Sequence, residues 1–584
     1  MSLTALSLVV MAVLAAGYLL YGSFIARQFR LDDARPTPAT TKNDGVDFVP
    51  ARPFYLLGQH FSAIAAAGPI AGPILACVAF GWLPCVLWIL LGVVFIGAVH
   101  DFSALVASVR HGAHSIAEIA KENLGRRAWL VLIGFIWLAL LYVIVAFTQI
   151  TAGSFVGKAE ELEGLSTTFN KGGAVAAAST LYLTLALVMG VVQRLLRPPM
   201  WLVTLIFVPA TLGCVYLGTR MDEVLSLPAS WWYAIILAYC LVASMLPMWL
   251  LQQPRGYLGG FVLYLAIGVG LLGIVFGGFE IKQPMVTEAT RQTLDPLAGA
   301  RLFGENPIAM TGLVLPFLFV TIACGACSGF HGLICGGTTS KQVAKESHCR
   351  PVAFGAMLLE GLVAVIALST VMILSPEQAR GQPPARIYGD GLAMFLTGLI
   401  GKDAFVFCAT FGAMAFSTFV FDTLDVSTRL GRYLLQELFD APGRVAGVLA
   451  AGATAGIPLV ILLASSDPDA YRLYWTLFGT SNQLLAALTL IGVCVWMWRS
   501  GRRCWYVFLP MLFVLTITLW ALALQIGVGV RDAADGAWRT PKGEFNPAIL
   551  NGVVAVALLA LAVVFMVEAV RAVRTPRRSG HAAS

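Results

Sequence analysis

Long apolar runs, separated by short polar segments, dominate this chain of 584 residues. Each run reaches the roughly 20 residues that a helix needs to cross a hydrocarbon core of about 30 Å. The pattern therefore predicts an all-α integral membrane protein with about fifteen transmembrane helices and no soluble domain. The approximate predicted spans are 3–25, 58–80, 85–107, 129–157, 173–196, 200–219, 231–251, 257–280, 313–335, 351–375, 403–424, 444–464, 475–498, 505–529 and 548–570.

The composition agrees with a membrane environment. Hydrophobic residues make up 58% of the chain and charged residues 12%, whereas soluble domains carry about 25% charged residues. The mean hydropathy is +0.82. No basic patch interleaved with aromatic residues is present, so the expected partners are the lipid bilayer and a small-molecule substrate, without nucleic acid.

The distribution of positive charge predicts an orientation. With the N-terminus outside and fifteen crossings, 25 of the 38 Lys and Arg residues lie on the predicted cytoplasmic side and 13 outside. This bias follows the positive-inside rule. The first apolar run lacks a positively charged segment before it and is too long for a signal peptide, which predicts an uncleaved first helix. The prediction is a multi-pass membrane protein with its C-terminus in the cytoplasm.

The second predicted span contains four helix breakers within six residues, namely Gly68, Pro69, Gly72 and Pro73. Proline removes a backbone donor, and a break at membrane depth is tolerated only where the backbone is buried in protein or lines a cavity. Interrupted helices build substrate sites in transporters. These four residues are therefore predicted substrate-site residues, and a kink used only for packing is the alternative.

Two further spans deviate from a plain helix. The seventh ends with Ser244 and Pro247, where proline should unwind the cytoplasmic half. The ninth is rich in Gly, Ser, Thr and Cys between Thr321 and Gly332, and its hydroxyls and freed carbonyls could bind a cation or a substrate. Ser244, Pro247, Thr321 and Ser328 therefore join the predicted substrate site. For the seventh span a simple kink at Pro247 is the alternative, and for the ninth span it is close helix packing through small residues.

Ionisable side chains at membrane depth are energetically unfavourable and are candidates for function by default. His60, His331, Glu360 and Asp422 are the predicted proton-coupling residues. An imidazole, which titrates near neutral pH, suits that role.

Other charged residues have structural explanations. The neighbouring His100 and Asp101 are predicted to form a structural hydrogen-bonded pair. For Asp422 and Asp425, an ion pair with Arg429 and Arg432 is the favoured alternative to a role in function.

A catalytic or metal centre is not expected. Cys324, Cys327 and His331 lack the second ligand pair that a zinc site requires. No nucleophile elbow or zincin motif is present. The chain is predicted not to be an enzyme and to need no cofactor other than a coupling ion, either proton or sodium.

Several stretches resemble the carbon starvation protein A family, a group of bacterial inner-membrane transporters of peptides or pyruvate. Together they cover about residues 40–490. They are residues 43–50 (NDGVDFVP), 58–69 (GQHFSAIAAAGP), 97–101 (GAVHD), 321–339, 357–361 (MLLEG), 422–430 and 478–484 (FGTSNQL).

The resemblance implies uptake of small nutrients when carbon is scarce, with coupling to protons in the pyruvate branch. It also implies a core of two inverted five-helix repeats, as in the amino acid–polyamine–organocation superfamily. On this chain the core is expected at 58–430, with spans two to six forming one repeat and spans seven to eleven the other. Residues 1–57 then hold the first helix and a cytoplasmic loop, and 431–584 hold the last helices and a basic tail.

Other functions stay open at this point. The substrate could be a peptide, pyruvate or another small acid. The coupling ion could be sodium, bound by oxygen ligands in the first and eighth core helices. A transporter-like membrane nutrient sensor and a channel are also compatible with the sequence, although no soluble signalling domain is visible.

Overall fold

The computed structural model describes residues 2–44, 48–65, 68–157, 160–161, 168–288, 290–291, 314–441, 443–464, 471–539 and 545–575. Nearly all of this part of the chain is helical. The first ten helices are α1 (Leu3–Phe29), α2 (Pro53–Ile64), α3 (Gly68–Phe80), α4 (Trp82–Arg110), α5 (Ile116–Leu124), α6 (Arg126–Phe155), α7 (Lys171–Leu196), α8 (Met200–Arg220), α9 (Ala229–Met245) and α10 (Gln252–Phe276).

Within the described residues, the second half of the chain contains nine more helices, and one short strand pair lies in the first half. The helices are α11 (Val314–Thr321), α12 (Gly329–Gly337), α13 (Glu346–Met372), α14 (Pro384–Ile400), α15 (Phe405–Leu438), α16 (Arg444–Leu463), α17 (Tyr471–Arg499), α18 (Trp505–Ala534) and α19 (Pro547–Arg574). Short helical turns lie at Pro38–Thr41, Thr339–Lys341, Pro376–Ala379 and Lys402–Ala404. The strands β1 (Glu160–Glu161) and β2 (Thr168–Phe169) pair antiparallel.

Twelve of the helices in the described residues are long and apolar enough to cross a membrane. The number of candidate spans rises to thirteen if the bent pair α2 and α3 is counted as one span. The protein is therefore a multi-pass helical membrane protein, as the apolar pattern predicts. Helix α9, with 17 residues, and the interrupted α11–α12 pair are not among these spans. The predicted number of fifteen crossings therefore stays a prediction.

The break in the second span lies earlier than predicted. Helix α2 ends at Ile64, α3 begins at Gly68, and their axes differ by 49°. The stretch from Gly68 to Pro73 is the start of α3 and not the interruption itself. Proline is tolerated in the first turn of a helix because the N–H groups there have no intrahelical partner. Pro69 therefore starts the second half of the span, and Pro73 lies inside it.

The seventh span behaves differently from the second. Helix α9 ends at Met245, and Leu246 is extended immediately before Pro247, the conformation that a following proline favours. The next helix, α10, begins at Gln252, about five residues earlier than the apolar pattern predicts. Helix α9 packs on α6, α15 and α16. The broken α2–α3 pair packs against the ninth span and not against the seventh, because α3 packs on α11 and α2 packs on α12.

The remaining helices enclose these two interrupted spans. Helix α3 packs on α13, and α12 packs on α4 and α17. Helices α6 and α15 lie against each other, while α18 and α19 pack on α17. The result is a bundle in which the described residues at both interruptions lie inside the protein.

Helix α17 approaches the ninth span closely at Gly479. A Cβ atom on Gly479 would lie 1.9 Å from the carbonyl oxygen of Val320, at the end of α11. This distance is far below van der Waals contact, so only glycine fits. Gly492 in the same helix has open space around its missing side chain.

We predict that Gly479→Ala and Gly492→Ala differ sharply in stability. The added methyl group at 479 must displace a backbone carbonyl, which should lower the free energy of unfolding by about 2 kcal/mol or more. At 492 the change should stay within about 1 kcal/mol of the wild type. Thermal unfolding of the detergent-purified variants measures both. Equal melting temperatures would contradict the close approach of α17 to α11.

Candidate functional site

The interrupted segment between α11 and α12 is held by polar side chains of α17. The indole Nε1 of Trp475 donates to the carbonyl oxygen of Thr321 at 3.0 Å, and the amide of Gln483 donates to that of Phe319 at 2.8 Å. Carbonyls freed by the end of a helix need partners in a medium without water. Helix α17 supplies these partners at the end of α11.

Asn482 performs the corresponding role at the start of α12. Its Nδ2 donates to the Ser328 hydroxyl at 3.1 Å, and its Oδ1 accepts from the backbone N–H of Phe330 at 3.0 Å. The side chain of Ser328 does not cap its own helix. The amide of Asn482 therefore acts as the cap of α12.

The start of α3 lies directly against this segment. A Cβ on Gly68 would lie 2.4 Å from Cys324 Sγ, and one on Gly72 would lie 2.6 Å from the carbonyl oxygen of Thr321. Small residues permit this approach of two backbones. Six predicted substrate-site residues are thus brought together at the two interruptions: Gly68, Pro69, Gly72, Pro73, Thr321 and Ser328.

Next to the interruptions lies a buried cluster of ionisable side chains. Asp101 of α4 lies at its centre: Oδ1 is 2.7 Å from Nδ1 of His100, and Oδ2 is 2.9 Å from Nδ1 of His331 on α12. Nε2 of His331 is 3.2 Å from Oε2 of Glu360 on α13. Asp101 and Glu360 are fully buried, as is His100, and His331 is 1% exposed.

The hydrogen-bond pattern determines where protons lie in this cluster. An ionised carboxylate only accepts hydrogen bonds, so ionised Asp101 requires a proton on Nδ1 of both His100 and His331. His331 Nε2 and Glu360 Oε2 lie 3.2 Å apart without the geometry of a hydrogen bond. A further proton, carried by the imidazole or by the carboxyl group, makes this contact attractive. The His331–Glu360 pair can therefore hold one exchangeable proton between α12 and α13.

His60 of α2 extends this arrangement toward the other interrupted span. Its Nδ1 lies 2.8 Å from the hydroxyl of Thr339, directly after α12. Its Nε2 is buried and, within the described residues, has no hydrogen-bond partner. The predicted coupling residues His60, His331 and Glu360 therefore lie on three helices that meet at the interruptions, while His100 and Asp101, predicted to be structural, belong to the same cluster.

The fourth predicted coupling residue, Asp422, lies in a different buried network. The guanidinium of Arg255, on α10, pairs with Asp422 and Asp425 of α15. Tyr239 of α9 donates to Asp425 at 2.9 Å, and the hydroxyl of Tyr182 donates to the Arg255 carbonyl oxygen at 2.8 Å. Arg255 is fully buried, so this network joins α7, α9, α10 and α15.

The predicted ion pairs of Asp422 and Asp425 with Arg429 and Arg432 are wrong. Arg429 instead donates to the carbonyl oxygens of Ala243 and Leu246, at 2.7 and 2.8 Å. Helix α9 ends there, and the free carbonyls at a helix C-terminus attract a cation. The predicted substrate-site residues Ser244 and Pro247 lie at this end of α9, away from the α3–α11 contact, and the Ser244 hydroxyl bonds to the Leu241 carbonyl at 2.8 Å.

Within the described residues, no group of three or more His, Cys, Asp or Glu side chains is arranged to hold a metal ion. Cys324 receives a hydrogen bond from Asn482 at 3.3 Å. The eleven cysteines in this part of the chain are free thiols.

The model of a known family, described as carbon starvation protein CstA, matches residues 2–389 and 377–521 of this chain. The chain belongs to the carbon starvation protein CstA family. This result confirms the resemblance that the sequence motifs predict.

Several named transporters match this chain over most of their own length. A peptide transporter CstA from Campylobacter jejuni is 32% identical, covering 89% of this chain and 80% of that protein. A peptide transporter CstA from Bacillus subtilis is also 32% identical, covering 96% and 95%. A pyruvate/proton symporter from Escherichia coli is 30% identical, covering 88% and 80%. Among solved structures, a manganese transporter from Eremococcus coleocola is 12% identical and covers 88% of this chain and 95% of its own, with a TM-score of 0.44.

We predict that the network around Arg255 is a major determinant of stability. Arg255→Met leaves two buried carboxylates without their cation and should lower the free energy of unfolding by about 3–5 kcal/mol. Asp425→Asn should have a smaller effect, because Asp422 still balances the guanidinium.

Arg432→Met is the matched control, since this arginine pairs with neither aspartate in the structure. It should change the thermal melting point of the detergent-purified protein only slightly. A large loss of thermal stability in Arg432→Met, together with a small loss in Arg255→Met, would support the aspartate–Arg432 ion pair that the sequence suggests and contradict the Arg255 network.

Proposed function

We propose that this CstA-family protein is a proton-coupled secondary transporter of the bacterial inner membrane, and that it takes up small carboxylate nutrients, peptides or pyruvate, when carbon is scarce. The relatives named as peptide transporters and as a pyruvate/proton symporter support the substrate class. The observation that carries proton coupling is the buried His331–Glu360 contact, which joins α12 to α13 and which one further proton makes attractive.

We further propose a core of two inverted five-helix repeats. The helices are assigned to the repeats differently from what the sequence leads us to expect. One repeat is α2–α3, α4, α6, α9 and α10, with the α7–α8 hairpin inserted. The other is α11–α12, α13, α15, α16 and α17. The core then runs from about residue 53 to 499.

Matching helix contacts in the two repeats support this assignment. Helix α9 packs on α15, and α16 packs on α6. Helix α10 packs on α15 and on the short helix α14, whereas α17 packs on α6 and on the short helix α5. Each half also contains one interrupted span, as expected for the substrate-binding helices of such transporters.

In this proposal the substrate binds close to the two interruptions, beside the packed contact between the start of α3 and the segment from Thr321 to Ser328. The proton binds next to it, on the His331–Glu360 pair. A change of protonation alters the attraction between α12 and α13, so it biases how the α2–α3 and α11–α12 elements pack against α6 and α15. This bias links proton binding to alternating access. The proposed orientation is N-terminus outside and C-terminus cytoplasmic.

Transport by Glu360→Gln in proteoliposomes tests the proposal. Wild-type protein should accumulate labelled pyruvate or dialanine under an inward proton gradient without sodium, and a protonophore should abolish this accumulation. Glu360→Gln should lower accumulation by about tenfold or more, because the site no longer exchanges its proton. Exchange of internal for external substrate, which needs no net proton movement, should persist.

Glu377→Gln, an exposed carboxylate at the start of the short Pro376–Ala379 turn, is the control and should transport like the wild type. Accumulation that requires sodium and resists the protonophore would favour the sodium-coupled alternative. Full gradient-driven accumulation by Glu360→Gln would contradict the role of the His331–Glu360 pair.

A further inference from the structure

A groove of about 390 Å³ runs along the side of the bundle, between α1 and α13. It extends from Met11 to Tyr18 on α1 and from Pro351 to Leu362 on α13, and Leu57 of α2 also lines it. The stretch of α1 corresponds to about 10 Å of helix. We call this the lateral groove. Apart from the hydroxyl of Tyr18, the side chains that line it are apolar.

The surface around the lateral groove is apolar and exposed. Leu19 and Leu20, which follow Tyr18 on α1, are 64 and 73% exposed. Phe54 and Tyr55, on the turn of α2 before the groove, are 82 and 75% exposed, and Leu359 inside the groove is 38% exposed. Both α1 and α13 are long and apolar enough to cross a membrane. The groove therefore opens toward the hydrocarbon chains of the bilayer, and its occupant must be apolar.

One cation stands at the end of this apolar groove. Arg350 directly precedes Pro351, and its Nη2 donates to the carbonyl oxygen of Tyr18 at 2.8 Å. Its guanidinium carbon lies 4.5 Å from the centre of the Tyr18 ring. Nε of Arg350 is buried and has no hydrogen-bond partner among the described residues. Neither contact with Tyr18 supplies a negative charge, so in the described part of the chain this guanidinium has no ion-pair partner.

Both helices change their geometry beside Arg350. Residues Gly17–Gly22 of α1 and Arg350–Gly355 of α13 form wide π-helical turns, which are rare and occur often at functional sites. A Cβ atom on Gly355 would lie 3.5 Å from the Tyr18 ring, an ordinary contact, so packing does not require glycine there. The missing side chain of Gly355 instead leaves the groove wider.

We propose that the lateral groove binds an acyl chain of a phospholipid with an anionic headgroup, and that the phosphate of this lipid pairs with Arg350. A guanidinium suits this role because its planar N–H donors match two phosphate oxygens, and because it stacks on an aromatic ring. The charge bias predicts that this end of the groove faces the cytoplasm, the side on which basic pockets between membrane helices bind anionic headgroups. The inference is independent of the proposed transport function.

Native mass spectrometry of the detergent-purified full-length protein, titrated with lipid, tests the headgroup contact. The wild type should bind phosphatidylglycerol at least about tenfold more tightly than phosphatidylcholine with the same acyl chains. Arg350→Gln should lose this preference, since a charged partner of the phosphate is removed. Arg27→Gln removes an exposed arginine of α1 that does not line the groove, and it should keep the preference.

A second pair of variants tests the groove without changing a charge. Ala15 and Ala16 are both exposed on α1, but only Ala15 lines the groove. Ala15→Phe should fill the groove and weaken binding of phosphatidylglycerol about tenfold, whereas Ala16→Phe should bind like the wild type.

Three results would overturn the proposal. The first is equal affinity of the wild type for the two lipids, and the second is wild-type lipid binding by Ala15→Phe or Arg350→Gln. The third is a dimer that retains no lipid and that Ala15→Phe dissociates, because a second copy of the chain would then cover the groove.

Discussion

The hydrocarbon core of a membrane offers no hydrogen bonds, and this constraint governs the centre of the protein. An interrupted helix can exist there only if the protein itself satisfies the freed backbone groups. Trp475, Asn482 and Gln483 of α17 do so for the α11–α12 interruption. Gly479 in the same helix permits the close approach that these hydrogen bonds require. Helix α17 thus fixes the backbone around which the candidate functional residues are arranged.

The same constraint explains the two ionic networks. A charge buried in lipid is unfavourable unless it is paired, and both networks pair their charges between different helices. In the Arg255 network two carboxylates surround one guanidinium, which fixes α10 to α15. In the cluster around Asp101 the partners are imidazoles, whose proton can leave. The first network therefore suits a structural connection, whereas the second can gain or lose a proton, as the proposed transport mechanism requires.

The sequence predicts the local structure of this protein well and the long-range pairing poorly. Apolar runs and helix breakers depend on neighbouring residues, so the helices and the interruption near Gly68 follow from the pattern. Contacts between helices depend on packing, which periodicity does not encode. His331 lies 230 residues from Asp101, and nothing in the spacing brings them together. Arg255 is not among the predicted functional residues, because the apolar pattern places it in a loop. In the structure α10 begins at Gln252, so Arg255 lies inside the bundle.

Proton release or uptake on substrate binding tests the central claim most directly. A pH indicator in weakly buffered solution reports protons that the purified protein takes up when pyruvate or dialanine is added. If the His331–Glu360 pair is the coupling site, the wild type takes up protons on substrate binding and Glu360→Gln takes up none, while both bind the substrate. Equal proton uptake by both proteins, or none by a wild type that binds substrate, would contradict the account.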